Sequence, residues 1–107
     1  MIKVNIKYDS EKVESISITG HANFDSYGKD IVCASVSSIV ITTVNAIVRL
    51  DDDSIEYDDK KGIFIRVLKH DNVTDTLIEN MISLLLDLEK QYKKNIILNK
   101  EVHSWDC

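Results

Sequence analysis

The segment from residue 31 to residue 50 places the strongest constraint on the fold of this 107-residue chain. Its apolar residues recur at the three- and four-residue spacing of one helical face, at Val32, Val36, Ile39, Val40, Val44, Ile47 and Val48. β-Branched residues and serines are poor helix formers, so the composition opposes the spacing. Because twenty residues are too long for an ordinary strand, the length predicts a helix over 31–50, with Asp30 as its N-cap.

The same segment also comes nearest to a membrane span. Polar residues interrupt it at Ser35, Ser37, Ser38, Thr42, Thr43, Asn45 and Arg49. It therefore falls short of the roughly 20 apolar residues in a row that a spanning helix needs. The N-terminus alternates polar and apolar residues, unlike a signal peptide. We expect a cytosolic protein without membrane contact, in which Cys33 and Cys107 are free thiols.

The remaining periodicity predicts two β-hairpins, a second helix and a last strand. Period-two alternation and turn residues place strands at 2–8, 13–19, 54–57, 62–68 and 96–102. A helix is predicted over 73–94, with Asn72 as its N-cap and Asp75 as the capping-box partner. The order ββαββαβ predicts an α+β fold in one domain, 1–107, with two layers: a mostly antiparallel sheet and two helices on one of its faces.

The charge balance restricts the class of partner. Thirteen Lys and Arg against eighteen Asp and Glu give a net charge of −5. This balance argues against direct nucleic-acid binding and suits a basic partner. The acidic stretch Asp51–Asp53, with Glu56, Asp58 and Asp59, lacks the glycine and the final glutamate of a calcium-binding loop, so it is interpreted as a solvated turn. No metal site is expected.

A reactive cysteine is the chemical feature of the segment that precedes the first helix. Residues 20–30 have no periodicity and predict a loop that carries His21. With Asp30 as the cap, Cys33 is the third helical residue, where free N–H groups and the helix dipole lower a thiol pKa and can hold an oxyanion. His21 can then activate the sulfur as a nucleophile.

Spacing alone leaves other interpretations open. A cysteine on a helix is commonly a packing residue, and a histidine beside a glycine is commonly an exposed loop residue. Ser37 lies one turn after Cys33 on the same helical face. Its hydroxyl can hydrogen-bond the thiolate, line a pocket, or bond back to its own helix.

The run GHANFDSYGKDIVCASVS resembles the signature of the ribosomal-processing cysteine protease (Prp) family. The matching positions are Gly20, His21, Ala22, Phe24, Gly28, Asp30, Ile31, Val32, Cys33, Ala34 and Ser37. Ser35 departs from the pattern, where the family usually has alanine, and this exchange of small residues should be tolerated. The motif covers eighteen residues, and the chain length, the element order and the acidic character also fit the family.

The resemblance implies a specific activity. Members of the family are cytosolic bacterial cysteine proteases, typically homodimers. They remove a short N-terminal extension from a large-subunit ribosomal protein and cut after an aromatic residue. Carried over to this chain, Cys33 is the nucleophile and His21 the general base. No metal or organic cofactor is required.

Supporting roles are hypotheses at this stage. Asp30 either orients His21 or only caps the helix, and Ser37 supports the thiolate or lines the site. The candidate residues of a substrate loop are Gly20, Phe24, Tyr27 and Gly28. For the glycines the alternative is that they only end a strand and a loop, and for the aromatic residues that they only pack the loop down.

Two function classes therefore remain to be separated. The first is an endopeptidase acting through Cys33 and His21. The alternative is a non-enzymatic ribosome-associated module in which the same loop binds a peptide. A redox role for the thiol is discounted because Cys107 is far along the chain and no resolving cysteine lies near Cys33.

Overall fold

The computed structural model describes the backbone of residues 1–20 and 27–103, and the side chains of residues 1–20 and 31–102. The chain forms strands β1 (Ile2–Asp9) and β2 (Lys12–Thr19), helix α1 (Tyr27–Leu50), strands β3 (Ile55–Asp58) and β4 (Ile63–Val67), helix α2 (Asn72–Gln91) and strand β5 (Ile96–His103). The predicted ββαββαβ order is confirmed. Each predicted strand boundary lies within one residue of the observed one.

The five strands form one mixed sheet in the order β3-β4-β2-β1-β5. Both predicted hairpins, β1/β2 and β3/β4, are antiparallel, and so is the β2/β4 pair that joins them. Strand β5 is the exception, since it runs parallel to β1. It can do so because α2 separates it from β4, and a parallel pairing needs a long crossover connection. The α+β prediction with a mostly antiparallel sheet is confirmed.

One face of the sheet carries the core. Along β1 the buried residues Ile2, Val4 and Ile6 alternate with exposed Lys3 and Asn5. Both helices contribute to the same hydrophobic cluster. Their buried apolar residues are Val32, Val36, Val40, Val44 and Ile47 from α1, and Ile78, Met81, Ile82, Leu85 and Leu88 from α2. The predicted two-layer arrangement follows, with the helices on one face.

Helix α1 begins four residues before the predicted start. Asp30 is therefore not the N-cap, because it lies inside the first helical turn that opens at Tyr27. A carboxylate near the start of a helix interacts favourably with the helix dipole, both at the N-cap and inside the first turn. Gly28 was counted as a loop residue, but a glycine costs a helix only about 1 kcal/mol relative to alanine. Packing of the valine stripe outweighs that cost.

By length and composition alone, Ile31–Leu50 of α1 is apolar enough to cross a membrane, with a mean hydropathy of 2.1. The expectation that its polar residues exclude such a span was therefore too strong. One stripe of the helix belongs to the core, where Val32, Val36 and Val40 are at most 4% exposed, whereas Ile41, Val48 and Leu50 are 41–66% exposed. A core helix of a folded domain has the same composition.

Helix α2 begins as predicted within one residue, but with a different cap. Asp71, not Asn72, is the N-cap, and its carboxylate accepts a hydrogen bond from the backbone N–H of Thr74 at 2.8 Å. The capping-box role for Asp75 was therefore wrong. Asp75 instead pairs with Lys12 at 3.2 Å and with His70 at 3.0 Å. The helix also ends at Gln91, short of the predicted residue 94.

Two glycines allow the chain to pass close to neighbouring backbone. Gly20 and Gly62 have φ angles of +90° and +89°, in the region that disfavours other residues. A Cβ at Gly20 would collide with the carbonyl oxygen of Met1, and one at Gly62 would lie 2.5 Å from the carbonyl oxygen of Ile18. Both glycines are therefore required by the backbone itself.

We predict that Gly62→Ala lowers the free energy of unfolding by about 1–3 kcal/mol, because the added Cβ meets backbone at a strained φ. Urea denaturation measures the change. Lys61→Ala is the matched control, since this exposed neighbour should shift stability by less than about 0.5 kcal/mol. Equal stabilities for the two variants would contradict the account.

A second prediction concerns the loss of stability at acidic pH. Burial would raise the pKa of Asp75, but hydrogen bonds from His70 and Lys12 outweigh it and hold the pKa below its usual 3.8. A lowered folded-state pKa stabilises the fold above pH 3.8, and this contribution is lost as the pH falls through the folded-state value. Asp75→Asn should therefore destabilise the protein at pH 7 and much less at pH 3.

The control for this experiment is Asp87→Asn, on an exposed position of the same helix. It should leave the unfolding free energy unchanged at both pH values. The same loss of stability at pH 7 and pH 3 for Asp75→Asn would show that the carboxylate charge is not what stabilises this contact.

Candidate active site

A cleft of about 500 Å³ opens at the end of the sheet where β1 begins and β2 ends. One wall is the first half of α1, and the opposite wall is the turn between β3 and β4. The residues that line it are Ile2, Ile18, Thr19, Gly20, Cys33, Val36, Ser37, Asp59, Lys60, Lys61, Gly62 and Ile63. Three of the predicted site residues, Gly20, Cys33 and Ser37, thus meet in one cavity.

Cys33 is a free, half-buried thiol. It packs against the hydrophobic core and also lines the cleft. The two interpretations of this cysteine, as a packing residue and as a site residue, therefore both describe its surroundings. A thiol held by the core on one side and open to a cavity on the other is fixed in position and accessible to a ligand.

Ser37 lies one turn beyond Cys33 and lines the same cleft. Among the described residues its hydroxyl has no hydrogen-bond partner, so it is not bonded back to its own helix. Thr43 shows the contrasting case, because its hydroxyl donates to the carbonyl oxygen of Ile39 at 2.8 Å. With respect to the described residues, the Ser37 hydroxyl is therefore available to donate to a group that enters the cleft.

The position of Cys33 in its helix differs from the prediction. Because α1 starts at Tyr27, Cys33 lies almost two turns inside the helix and not at its third residue. The first four N–H groups of a helix are the unpaired ones, so the N–H of Cys33 belongs to the helical hydrogen-bond ladder. It is therefore not available to bind an oxyanion. The helix dipole also has little effect on the thiol pKa this far from the start of the helix. The prediction that the helix start activates Cys33 was wrong.

Several predicted residues lie wholly or partly outside the described part of the chain. Tyr27, Gly28 and Asp30 form the first turn of α1, of which the backbone alone is described. His21, Phe24 and Cys107 lie outside the described residues. The pairing of His21 with Cys33 therefore stays a prediction. Gly20, the residue covalently linked to His21, lines the cleft that holds Cys33.

The second wall of the cleft was not predicted. Sequence reasoning assigned residues 58–61 only as a hairpin turn and overlooked Gly62 as a site-lining residue. The turn reaches the cleft only through the pairing of β4 with β2, which local sequence does not reveal. The one local signal is the glycine directly after the turn, Gly62, which indicates a close backbone approach.

The acidic run Asp51–Asp53 lies away from this cleft. Its three carboxylates come within 4.8 Å of one another. Asp51 accepts a hydrogen bond from Lys69 Nζ at 3.0 Å and another from the N–H of Asp53 at 3.0 Å. The bond from Lys69 is the main reason why the pKa of Asp51 lies below its usual value. These contacts agree with the interpretation as a solvated turn.

Comparison with known proteins gives a consistent result. Residues 1–97 match the family described as cysteine protease Prp. The chain is 40% identical over 104 residues to the ribosomal processing cysteine protease Prp of Staphylococcus aureus (strain NCTC 8325 / PS 47), covering 92% of this chain and 98% of that protein. It is 32% identical over 105 residues to the protein of the same name from Bacillus subtilis (strain 168), covering 90% and 94%.

Solved structures agree with the sequence matches. The crystal structure of an essential ribosomal processing protease Prp from S. aureus in complex with a substrate peptide is similar, with a TM-score of 0.82 and 35% identity over 94% of this chain and all of that chain. A structure of the same protease with a covalently linked product peptide gives a TM-score of 0.80 and 36% identity, with the same coverage.

Proposed function

Because this chain belongs to the cysteine protease Prp family, and is therefore a cysteine protease, we propose that Cys33 is its nucleophile and His21 its general base. We further propose that it removes the N-terminal extension of a large-subunit ribosomal protein. One observation carries the assignment of Cys33: its thiol lines the cleft. It is also the only cysteine among the described residues, and a similar protease has been solved with a covalently linked product peptide.

The reaction follows from a thiol held at the edge of a cavity. His21 takes the proton from the Cys33 thiol, and the sulfur attacks the carbonyl carbon of the scissile peptide bond. His21 then gives that proton to the leaving amine, which departs and leaves a thioester on Cys33. Water hydrolyses the thioester, so the extension leaves with a new carboxylate and the thiol is restored. Ser37 can donate a hydrogen bond to the thiolate or to the developing oxyanion.

The cleft suits a bulky apolar residue before the cut. Its apolar lining consists of Ile2, Ile18, Val36 and Ile63. A volume of about 500 Å³ lies within the range of ordinary ligand pockets, roughly 300–1,000 Å³. These properties support cleavage after an aromatic residue. The substrate peptide in the S. aureus protease structure supports a peptide substrate for this chain as well.

The further properties of the proposal come from family membership. The relatives are bacterial proteins, which supports a bacterial cytoplasmic enzyme, and we include the homodimer in the proposal. No cofactor takes part in the proposed reaction. Asp30 would orient His21, in addition to stabilising the first turn of α1 through the helix dipole. Phe24, Tyr27 and Gly28 stay candidates for contact with the substrate.

The alternative of a non-enzymatic binding module is set aside because the family consists of cysteine proteases.

The first test replaces the nucleophile. Cys33→Ala should abolish cleavage of a peptide that spans the extended N-terminus of the ribosomal protein, because the variant lacks the sulfur that forms the proposed thioester. The fold should persist, since alanine fits a half-buried helical position. A fluorogenic peptide gives the rate, and circular dichroism gives the fold. Residual cleavage at the wild-type rate by a folded variant would overturn the assignment of Cys33.

The second test addresses the base. His21→Ala should lower kcat at least about 100-fold, the usual contribution of general acid–base catalysis. Peptide affinity, measured by fluorescence anisotropy, should change little. His70→Ala is the control, because this histidine pairs with Asp75 outside the cleft and its loss should leave kcat unchanged. Unchanged turnover in His21→Ala would remove His21 from the mechanism.

A further inference from the structure

A second groove, the distal groove, lies at the end of α1 that is remote from Cys33. It has a volume of about 450 Å³. It is lined by Ile47, Leu50 and Asp51 at the end of α1 and by residues 71–74 at the start of α2. None of these residues lines the cleft that holds Cys33, so the distal groove is a separate surface.

Two large apolar side chains of the distal groove are left in solvent. Leu50 is 66% exposed and Val73 is 50% exposed. Leu50 is the most exposed of the large apolar side chains that the structure describes. Exposed apolar side chains that line a groove are typical of a surface that binds a partner.

The charges around these apolar side chains are mainly negative. Asp51 and Asp71 line the distal groove, and no Lys, Arg or His lines it in the part of the chain that the structure describes. The two segments that form it, residues 47–54 and 68–74, hold four Asp against one Arg and one Lys, a net charge of −2 with His neutral. Among the described residues, only Asp51 of these four carboxylates forms an ion pair, with Lys69 at 3.0 Å.

The end of α1 adds a partial negative charge at the same place. The last carbonyl groups of a helix lack partners within it, so a helix C-terminus interacts favourably with cations. The start of α2 has the opposite partial charge, but the carboxylate of Asp71 caps it by accepting a hydrogen bond from the N–H of Thr74 at 2.8 Å. The distal groove therefore attracts a cationic side chain.

A basic segment with an apolar side chain is the ligand that fits these properties. The proposed substrate is a ribosomal protein, and proteins that bind RNA neutralise its phosphates with Lys and Arg. The body of such a protein, which follows the N-terminal extension, therefore offers the required charges. A second copy of this chain fits less well, because its net charge of −5 has the same sign as the groove.

The distance between the two surfaces decides which part of the substrate reaches the distal groove. Leu50 follows Cys33 by seventeen residues in α1, which is about 25 Å along the helix axis. An extended chain advances about 3.3 Å per residue, so about eight residues are needed to cover this distance. The segment that enters the distal groove must therefore lie at least that far from the scissile bond.

We propose that the distal groove is an exosite for the ribosomal protein, separate from the catalytic cleft. It binds a basic segment that lies about eight or more residues after the scissile bond, with an apolar side chain against Leu50 and Val73. This inference rests on the proposed function of the cleft as the protease site. Binding at a second place raises the local concentration of the scissile bond at Cys33, so the exosite lowers KM and leaves kcat unchanged.

The first test varies how far the substrate extends beyond the cut. One peptide of the ribosomal protein ends four residues after the scissile bond, and a longer one ends twenty residues after it. For the wild-type protein the longer peptide should have a KM about tenfold lower, because burial of one apolar side chain is worth at least that factor. Replacing the Lys and Arg residues beyond the eighth position by Gln, or adding sodium chloride, should reduce this gain.

Variants assign the gain to the distal groove. Leu50→Lys removes an apolar contact and adds a repelling charge, so it should abolish the gain for the longer peptide and leave the KM of the shorter one unchanged. Ile41→Lys is the matched control, because it makes the same charge change at a 48% exposed position of the same helix, outside both linings. It should keep the gain. No gain in the wild-type protein, or an equal loss in both variants, overturns the inference.

A binding measurement separates this inference from the proposed function. A labelled peptide that contains only residues nine to twenty after the cut is titrated by fluorescence anisotropy against Cys33→Ala, with and without Leu50→Lys. Binding that Leu50→Lys removes supports the exosite even if no peptide is cleaved. Binding that is absent, or equal in both proteins, overturns it. A change from dimer to monomer in Leu50→Lys with peptide binding retained, measured by sedimentation velocity, also overturns it and assigns the groove to a second copy.

Discussion

The packing of the α1 valine stripe against the sheet is the contact on which the site depends. Val32, Val36 and Val40 are at most 4% exposed, and they fix the rotation of the helix about its axis. Once that rotation is set, Cys33 and Ser37 point to the same cavity as the first residues of β1 and the last of β2. The thiol owes its position to a core that would be needed even without catalysis.

The sheet order completes the site from the other side. The central strands β2 and β1 bring Ile18 and Ile2 to the floor of the cleft, and the pairing of β4 with β2 brings the turn at residues 59–62 opposite the helix. Gly62 makes this approach possible, because a side chain there would strike the backbone of β2. A cavity of about 500 Å³ with an apolar floor and a thiol at its edge results from this single arrangement of strands.

Local periodicity was sufficient to predict the elements, since alternation and helical spacing are properties of neighbouring residues. The segment 31–50 was correctly predicted as helical, because its length argued against a strand more strongly than the low helix propensity of its β-branched residues argued against a helix. The start of α1 at Tyr27 and the cap at Asp71 were missed, because helix ends depend on a few competing polar residues.

The parallel β1/β5 pair and the wall at residues 59–62 depend on contacts between distant segments, which one sequence does not reveal. The earlier helix start also changes the chemistry, because it places Cys33 too far from the helix end to be activated there, and the proposal therefore assigns the activation to His21.

The central claim is that Cys33 carries the covalent intermediate of peptide cleavage. It is tested most directly by mixing the protein with a peptide that spans the extended N-terminus of the ribosomal protein, quenching in acid and mapping the modified residue by mass spectrometry. The account predicts a mass increase equal to the N-terminal fragment on the tryptic peptide that contains Cys33, absent from Cys33→Ala. Cleaved peptide with the adduct on another residue, or cleavage in Cys33→Ala at the wild-type rate, would contradict it.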